Sequence, residues 1–177
     1  NPLGQALSKR LGVKVTVSVG KTYQSTIDSL INDEADLYFL PALSYLRAEP
    51  KTGALQILVS EEIRASLYDR AVLVVQSKSA IRRVEELAGR KFALVSRNSA
   101  SGYLFPRVCL KRHKLDPDKI LAKEKVIFAQ NHDRALKLLL EDKVEVAATY
   151  DWAITENNGR LRKGIRVVAW SEPLPHS

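Results

Sequence analysis

Six consecutive residues, Asn98-Ser99-Ala100-Ser101-Gly102-Tyr103, are small or hydroxyl-bearing at a point where the chain leaves a strand and enters a helix. The first backbone N–H groups of a helix lack intrahelical acceptors, and the helix dipole places partial positive charge there. Small residues leave those amides accessible, and serine adds hydroxyl donors. The pattern therefore suits capture of an oxyanion without a cationic side chain. It also suits a plain serine N-cap, and local chemistry leaves both readings open.

Two further segments follow strands and open helices. In Gln130-Asn131-His132-Asp133, His132 can donate to an oxyanion or act as a base; the alternative is a capping loop with a surface histidine. In Thr149-Tyr150-Asp151-Trp152, Asp151 can hold a cationic group or a ligand hydroxyl, or simply cap its helix. Tyr45, in Leu43-Ser44-Tyr45, and Tyr68, at the head of a long strand, each fit either a core or a site.

Enzyme motifs are missing. The sequence has no GxSxG, GxxxxGK[ST] or GxGxxG pattern, and His113, His132 and His176 are far apart with no HExxH spacing. Ser99 or Ser101 with His132 and Asp151 can be written down as a triad, but a triad needs the base within hydrogen-bond reach of the nucleophile. A hydrolase is thus the least favoured reading. Cys109, the single cysteine, excludes an intrachain disulfide and a CxxC metal site, and its apolar helical surroundings make it a core residue. No metal and no cofactor are expected.

These segments need a scaffold, and the chain supplies alternating signals for one. Helical spacing predicts helices over residues 2–11, 22–32, 42–48, 84–87, 101–113, 133–141 and 152–157. Alternating or continuous β-branched runs predict strands over 13–19, 37–40, 55–59, 67–76, 91–95, 126–129, 144–149 and 165–170. Asn157-Asn158-Gly159 reads as a turn. Such alternation implies an α/β fold with mainly parallel sheets flanked by helices. On such folds ligands sit beyond the carboxyl ends of the strands, which is where the three segments above fall.

The chain has 177 residues and a net charge of +8, with 45% hydrophobic and 27% charged residues. The basic clusters, Arg82-Arg83, Lys111-Arg112-His113-Lys114 and Arg160, Arg162, Lys163, are scattered and carry no interleaved aromatics. A nucleic-acid partner is therefore not expected. No apolar run reaches the roughly 18–20 residues a membrane helix needs. The chain starts at Asn1-Pro2 without a signal peptide, so a mature or excised fragment is expected.

Several stretches together resemble the phosphonate/phosphite/phosphate-binding proteins of ABC importers. Residues 35–45, ADLYFLPALSY, are similar to the family's "DLA-aromatic-LGPLSY" segment. Tyr68-Asp69-Arg70-Ala71 resembles the tyrosine entering its first crossover strand, and Leu87-Ala88-Gly89-Arg90-Lys91-Phe92-Ala93 its "L-GK-FAF" stretch. Asn98 to Tyr103 followed by Pro106 resembles "NSTSGY…P", the most specific of these motifs. Leu115-Asp116-Pro117-Asp118, His132-Asp133 and Ala148-Thr149-Tyr150-Asp151 fall at the family's spacing, and residues 170–175 look like its return crossover, "SPPIP".

The resemblance implies a two-lobed type II periplasmic binding protein-like fold. Residues 1–73 plus 169–177 would form one lobe and 74–168 the other, with hinge crossovers near 68–76 and 168–175. It implies truncation at both ends, with a first strand before Asn1 and helices after Ser177. It also implies that Ser99, Ser101 and the amides around Ala100 and Tyr103 hold the oxygens, that His132, Tyr45 and Tyr68 complete the shell, and that Asp151 faces a ligand amine. The implied ligand is a phosphonate, phosphite or phosphate. The implied partner is an importer's membrane permease, or a signalling domain if the same lobes serve as a receptor's input domain. The implied place is periplasmic or extracytoplasmic, with a lipid anchor in a full-length form. Two positions depart from the pattern: Ala100 stands where the family has Thr, and Pro41-Ala42 replaces Gly-Pro.

Overall fold

The computed structural model describes the chain apart from residues 54, 60–65, 157–158 and 176–177. The end of the helix expected over 152–157 and part of the turn at 157–159 lie outside the described residues.

Five strands form one sheet in the order β3-β2-β4-β1-β5: β1 (Tyr68–Gln76), β2 (Phe92–Leu94), β3 (Val126–Phe128), β4 (Val146–Tyr150) and β5 (Ile165–Pro175). β2 pairs in parallel with both β3 and β4. β1 pairs antiparallel with β4 and with β5. Four strands therefore point the same way and β1 runs against them. The α/β architecture stands, but the sheet is mixed. The reason is where β1 enters: Ala71 pairs with Tyr150, so the chain arrives at the edge where β4 finishes and has to run back down.

The central position of β1 explains its composition. Ala71 to Val75 are all 0% exposed, an unbroken apolar run of the kind a strand buried on both faces requires. Successive side chains alternate sides. Ala71, Leu73 and Val75 join one core with Phe92, Leu94, Val146 and Ala148. Val72 and Val74 join the other with Ala93, Val95 and Ala147. The first core is covered by α4 (Phe105–Arg112) through Phe105, Cys109 and Leu110, and by the short α5 (Pro117–Ile120) through Ile120. The second is covered by α6 (His132–Leu140) through Ala135, Leu136 and Leu139, an i, i+1, i+4 stripe. Cys109 is a core residue, as its sequence context suggested.

β5 is not cleanly registered against β1. Its register slips between Arg70 and Val72 and again between Leu73 and Val74, and at the first slip the Ala71 amide turns to the buried Ser171 hydroxyl, donating to it over 2.9 Å.

Before the sheet come α1 (Pro2–Leu11), α2 (Tyr23–Ile31) and α3 (Ala42–Thr52). The strands expected over 13–19, 37–40 and 55–59 form no ladder among the described residues. β-propensity measures fit to a paired, half-buried surface, and an extended segment without a neighbour cannot express it. Val19 is accordingly 87% exposed and Phe39 64%.

Candidate functional site

Because β2, β3 and β4 run parallel, the loops that leave them meet at one edge of the sheet. Two hydrogen bonds knit the first two exits together: Ala129 N donates to Leu94 O at 2.7 Å, and Gln130 N to Val95 O at 2.9 Å. Gln130 takes a left-handed φ of 71° to turn the chain into α6. α7 (Asp151–Ile154) begins at the end of β4.

In the serine segment, Ser99 N donates to Ser96 O at 3.0 Å, closing a tight turn. The Ser99 hydroxyl accepts from Gly102 N at 2.9 Å, so the N-cap reading is realised. The cap uses an oxygen lone pair and leaves the hydroxyl proton to donate elsewhere, so capping and anion binding do not compete for it. The helix starts as a π-turn over Ala100–Leu104 before continuing as α4. Its first internal bonds come from Leu104 N to Ser99 O and from Phe105 N to Ala100 O. The amides of Ala100, Ser101 and Tyr103 thus precede the first internal donors, with no intrahelical acceptor by position. Ser99 and Ser101 are themselves buried.

Not every expected residue faces the same way. The Tyr103 ring lies 6.1 Å from that of Phe128, and its hydroxyl accepts from Arg97 at 3.2 Å. Of Tyr103, it is the backbone that belongs with the serine segment. Tyr45 donates its hydroxyl to Glu49, one turn along its own helix, at 3.1 Å. Tyr68 is exposed at the start of β1, opposite Pro175. Asp151 accepts from the neighbouring Trp152 amide at 2.9 Å, as a helix-start carboxylate does. His132 lies edge-on to Tyr150 with ring centroids 4.6 Å apart, which brings the β3 and β4 exits together. Neither Ser99 nor Ser101 is bonded to His132 among the described residues; its Nδ1 pairs with Thr149 Oγ1 at 3.0 Å. A Ser–His–Asp relay is not assembled.

Burial lowers the His132 pKa from the usual 6.5 to about 4, against a small opposing pull from Asp133. The imidazole is neutral near pH 7. Tyr150 is raised by burial and by the carboxylates of Asp133, Asp69 and Asp151. Tyr23, at the start of α2, is raised by burial and by Tyr150, and it packs against the second core.

Asn98 has a role that the motif did not reveal. It is 4% exposed. Its Oδ1 accepts from Arg47, its Nδ2 donates to Gln24 Oε1 at 2.9 Å, and its backbone carbonyl accepts from Ser44 Oγ at 3.4 Å. One side chain and one carbonyl thereby tie α2 and α3 to the serine loop. Asn98→Leu is expected to lower stability by about 0.5–1.5 kcal/mol, the net worth of a typical hydrogen bond, because the side-chain partners Gln24 and Arg47 are exposed and not stranded; urea unfolding measures it. A change within error would mean that Gln24 and Arg47 find water instead. Tyr23, Gln24 and Ser44 were also unforeseen as neighbours of this edge. Thr149, the only residue with a polar side chain in the buried run 146–149, did carry a signal.

Among the described residues, no three His, Cys, Asp or Glu side chains cluster as a metal site requires.

A family model described as the periplasmic substrate-binding protein of phosphonate ABC transporters matches residues 1–177. The phosphate-import protein PhnD of Mycolicibacterium smegmatis is 23% identical over 184 residues, covering 98% of this chain and 57% of that protein. PhnD1 from Prochlorococcus marinus, solved in complex with methylphosphonate, has a TM-score of 0.83 at 20% identity, covering 98% of this chain and 66% of that one. A binding-protein component of an ABC phosphonate transporter from Pseudomonas aeruginosa has a TM-score of 0.82 at 18% identity, with 99% and 60% covered. The chain thus spans between half and two thirds of the length of these relatives.

Proposed function

The chain belongs to the family of periplasmic substrate-binding proteins of phosphonate ABC transporters, and from that premise we propose that it captures a phosphonate, phosphite or phosphate outside the cytoplasm and presents it to an importer's membrane permease. Its fold is that of the type II periplasmic binding proteins. The observation that carries the reading is the open helix start at Ser99 to Tyr103, set on the same sheet edge as the neutral His132.

The proposed chemistry uses neutral donors. The amides of Ala100, Ser101 and Tyr103 and the hydroxyls of Ser99 and Ser101 give hydrogen bonds to the anion's oxygens. Such bonds to an ionised acceptor are about twice as strong as neutral ones. Desolvated dipoles need no formal counter-charge to do this. His132 adds a donor from the β3 side. Ala100 contributes only its amide, one hydroxyl fewer than the family pattern. Asp151 opens α7 at the same edge, where a cationic substituent of the ligand would meet it. Tyr68 and the α3 side, where Tyr45 sits, would cover the anion as residues 1–73 plus 169–177 close on 74–168, bending near 68–76 and 168–175.

Titration calorimetry with phosphate, phosphite, methylphosphonate and 2-aminoethylphosphonate, with sulfate as the contrast, tests the reading. Heat from at least one phosphorus oxyanion at micromolar concentration is expected. Silence from all five would end the oxyanion assignment. Ser101→Ala is expected to weaken the best ligand about tenfold, the loss of one hydrogen bond to a charged acceptor. Ser18→Ala, on the exposed segment before α2, should leave it unchanged. Equal effects would count against the helix-start site.

A further inference from the structure

His132 has two ring nitrogens, and only one of them has a protein partner among the described residues. Nδ1 lies 3.0 Å from Thr149 Oγ1. Thr149 is 0% exposed, in the middle layer of the fold on β4. Its hydroxyl has no other hydrogen-bond partner among the described residues. A neutral imidazole carries one proton and a hydroxyl carries one, and only one of the two can occupy this contact.

The two ways of filling the contact are not equivalent. If Nδ1–H donates to Thr149, the threonine proton is left in a dry interior with no acceptor. If Thr149 donates to Nδ1, the threonine proton is used and the imidazole proton sits on Nε2, which is not among the fully buried unpaired polar atoms of the described residues and can meet water or a ligand. A donor left buried without a partner carries its full desolvation cost, and the second filling leaves none. Threonine's β-branch restricts the choice of χ1 on a strand, so the hydroxyl direction is fixed by packing. The Tyr150 ring, edge-on at 80°, limits the imidazole plane.

On the oxyanion reading above, on which this inference rests, we propose that Thr149 is a positioning residue: its hydroxyl donates to Nδ1 and thereby fixes His132 as the Nε2–H tautomer, so that the ring offers the anion an N–H and not a lone pair. A fully ionised phosphonate or phosphate group is all acceptor on its oxygens. A lone pair on Nε2 would repel it, and an N–H would attract it. The buried threonine thus turns an ambivalent side chain into a one-way donor.

The charged and titratable neighbours are Asp133, beside His132 on α6, and Tyr150 from β4. Neither supplies a donor to Nδ1 among the described residues.

The test is a long-range proton–nitrogen NMR spectrum of the 15N-labelled chain at pH 7. The His132 signals are assigned by their loss in His132→Gln. A protonated Nε2 and an unprotonated, hydrogen-bonded Nδ1 are expected. Thr149→Val keeps the shape and removes the hydroxyl, and the two nitrogen shifts should move toward a tautomer average. The affinity for methylphosphonate, or for whichever screened anion binds, should fall about three- to tenfold. Thr149→Ser should restore both. A wild-type spectrum with the proton on Nδ1 overturns the proposal, as does a Thr149→Val spectrum identical to wild type. If the shifts move as expected while no anion binds any variant, the tautomer assignment is upheld and the oxyanion reading falls instead. A circular-dichroism melt of each variant separates these outcomes from misfolding.

Discussion

Gly102→Ala is expected to lower the melting temperature by several degrees and to remove anion binding. Glycine is needed there for room. A Cβ at this position would lie 2.4 Å from Val95 Cγ2 and 2.5 Å from Val95 Cβ, well inside contact distance. Val95 is fully buried in the second core, one residue past β2, and its own amide donates to Gly102 O at 3.0 Å. Neither side can retreat without breaking that bond or disturbing the sheet. Overpacking of this kind costs about 1–3 kcal/mol. In a domain of this size that corresponds to a fall of roughly 3–10 °C. The same displacement lifts the helix start off the strand, so the amides of Ala100, Ser101 and Tyr103 lose their common aim. Differential scanning calorimetry and ligand titration read the two effects separately. Val95→Ala in the Gly102→Ala background removes the Cγ2 clash and leaves the Cβ clash, so partial recovery is expected. An unshifted melting temperature would mean that the segment is far softer than its contacts indicate.

The second large effect is on stability against pH. His132 titrates at about 4 in the folded protein, chiefly because it is buried, and at about 6.5 when unfolded. Above pH 6.5 it is neutral in both states and contributes no slope. Between 6.5 and 4 the unfolded chain binds a proton that the native chain refuses, so native stability falls as the pH falls. The full difference approaches about 3 kcal/mol, with each unit worth about 1.4 kcal/mol. His132→Gln should abolish this component. Urea unfolding of both proteins at half-unit steps from pH 7.5 to 4 measures it, and parallel curves would refute it. In the unliganded protein the ring stays neutral between pH 5.5 and 8, so a His132-dependent step in anion affinity within that window would report the bound anion raising its pKa.

The sheet was legible where local pattern and tertiary role coincide. The run at Ala71 to Val75 announces a strand covered on both sides, and the Ala135, Leu136, Leu139 stripe announces a helix lying on a core. The serine segment was legible as a helix start, and its two local readings turned out to be compatible. Other features depend on partners that spacing does not reveal. The run at 13–19 alternates as a strand does, yet it lacks a pairing neighbour among the described residues. Tyr103 belongs to the most specific motif, but Arg97 and Phe128 draw its ring away from the serines. Asn98 looks like a loop residue until Ser44, 54 positions earlier, and Gln24, 74 positions earlier, are placed against it. Thr149 gains its importance only when β4 sets it beside a histidine 17 residues away.

β1 carries a mechanical consequence of its own. Its first three residues, Tyr68, Asp69 and Arg70, are wholly or partly exposed, while the next five are locked between two cores. One of the two slips in the register with β5 falls at the boundary, where the Ser171 hydroxyl pins the amide of Ala71, and the other lies between Leu73 and Val74. A beam held rigidly along most of its length and released at one end is a cantilever. A load applied through the chain ahead of Tyr68 would flex it first at the slip nearest that end, inside the proposed bending segment, and less along the clamped residues, where the second slip falls. Because Ala71 pairs with Tyr150, the flexing end lies beside the exit of β4, and the load would be felt next to the edge that carries the serine and histidine loops.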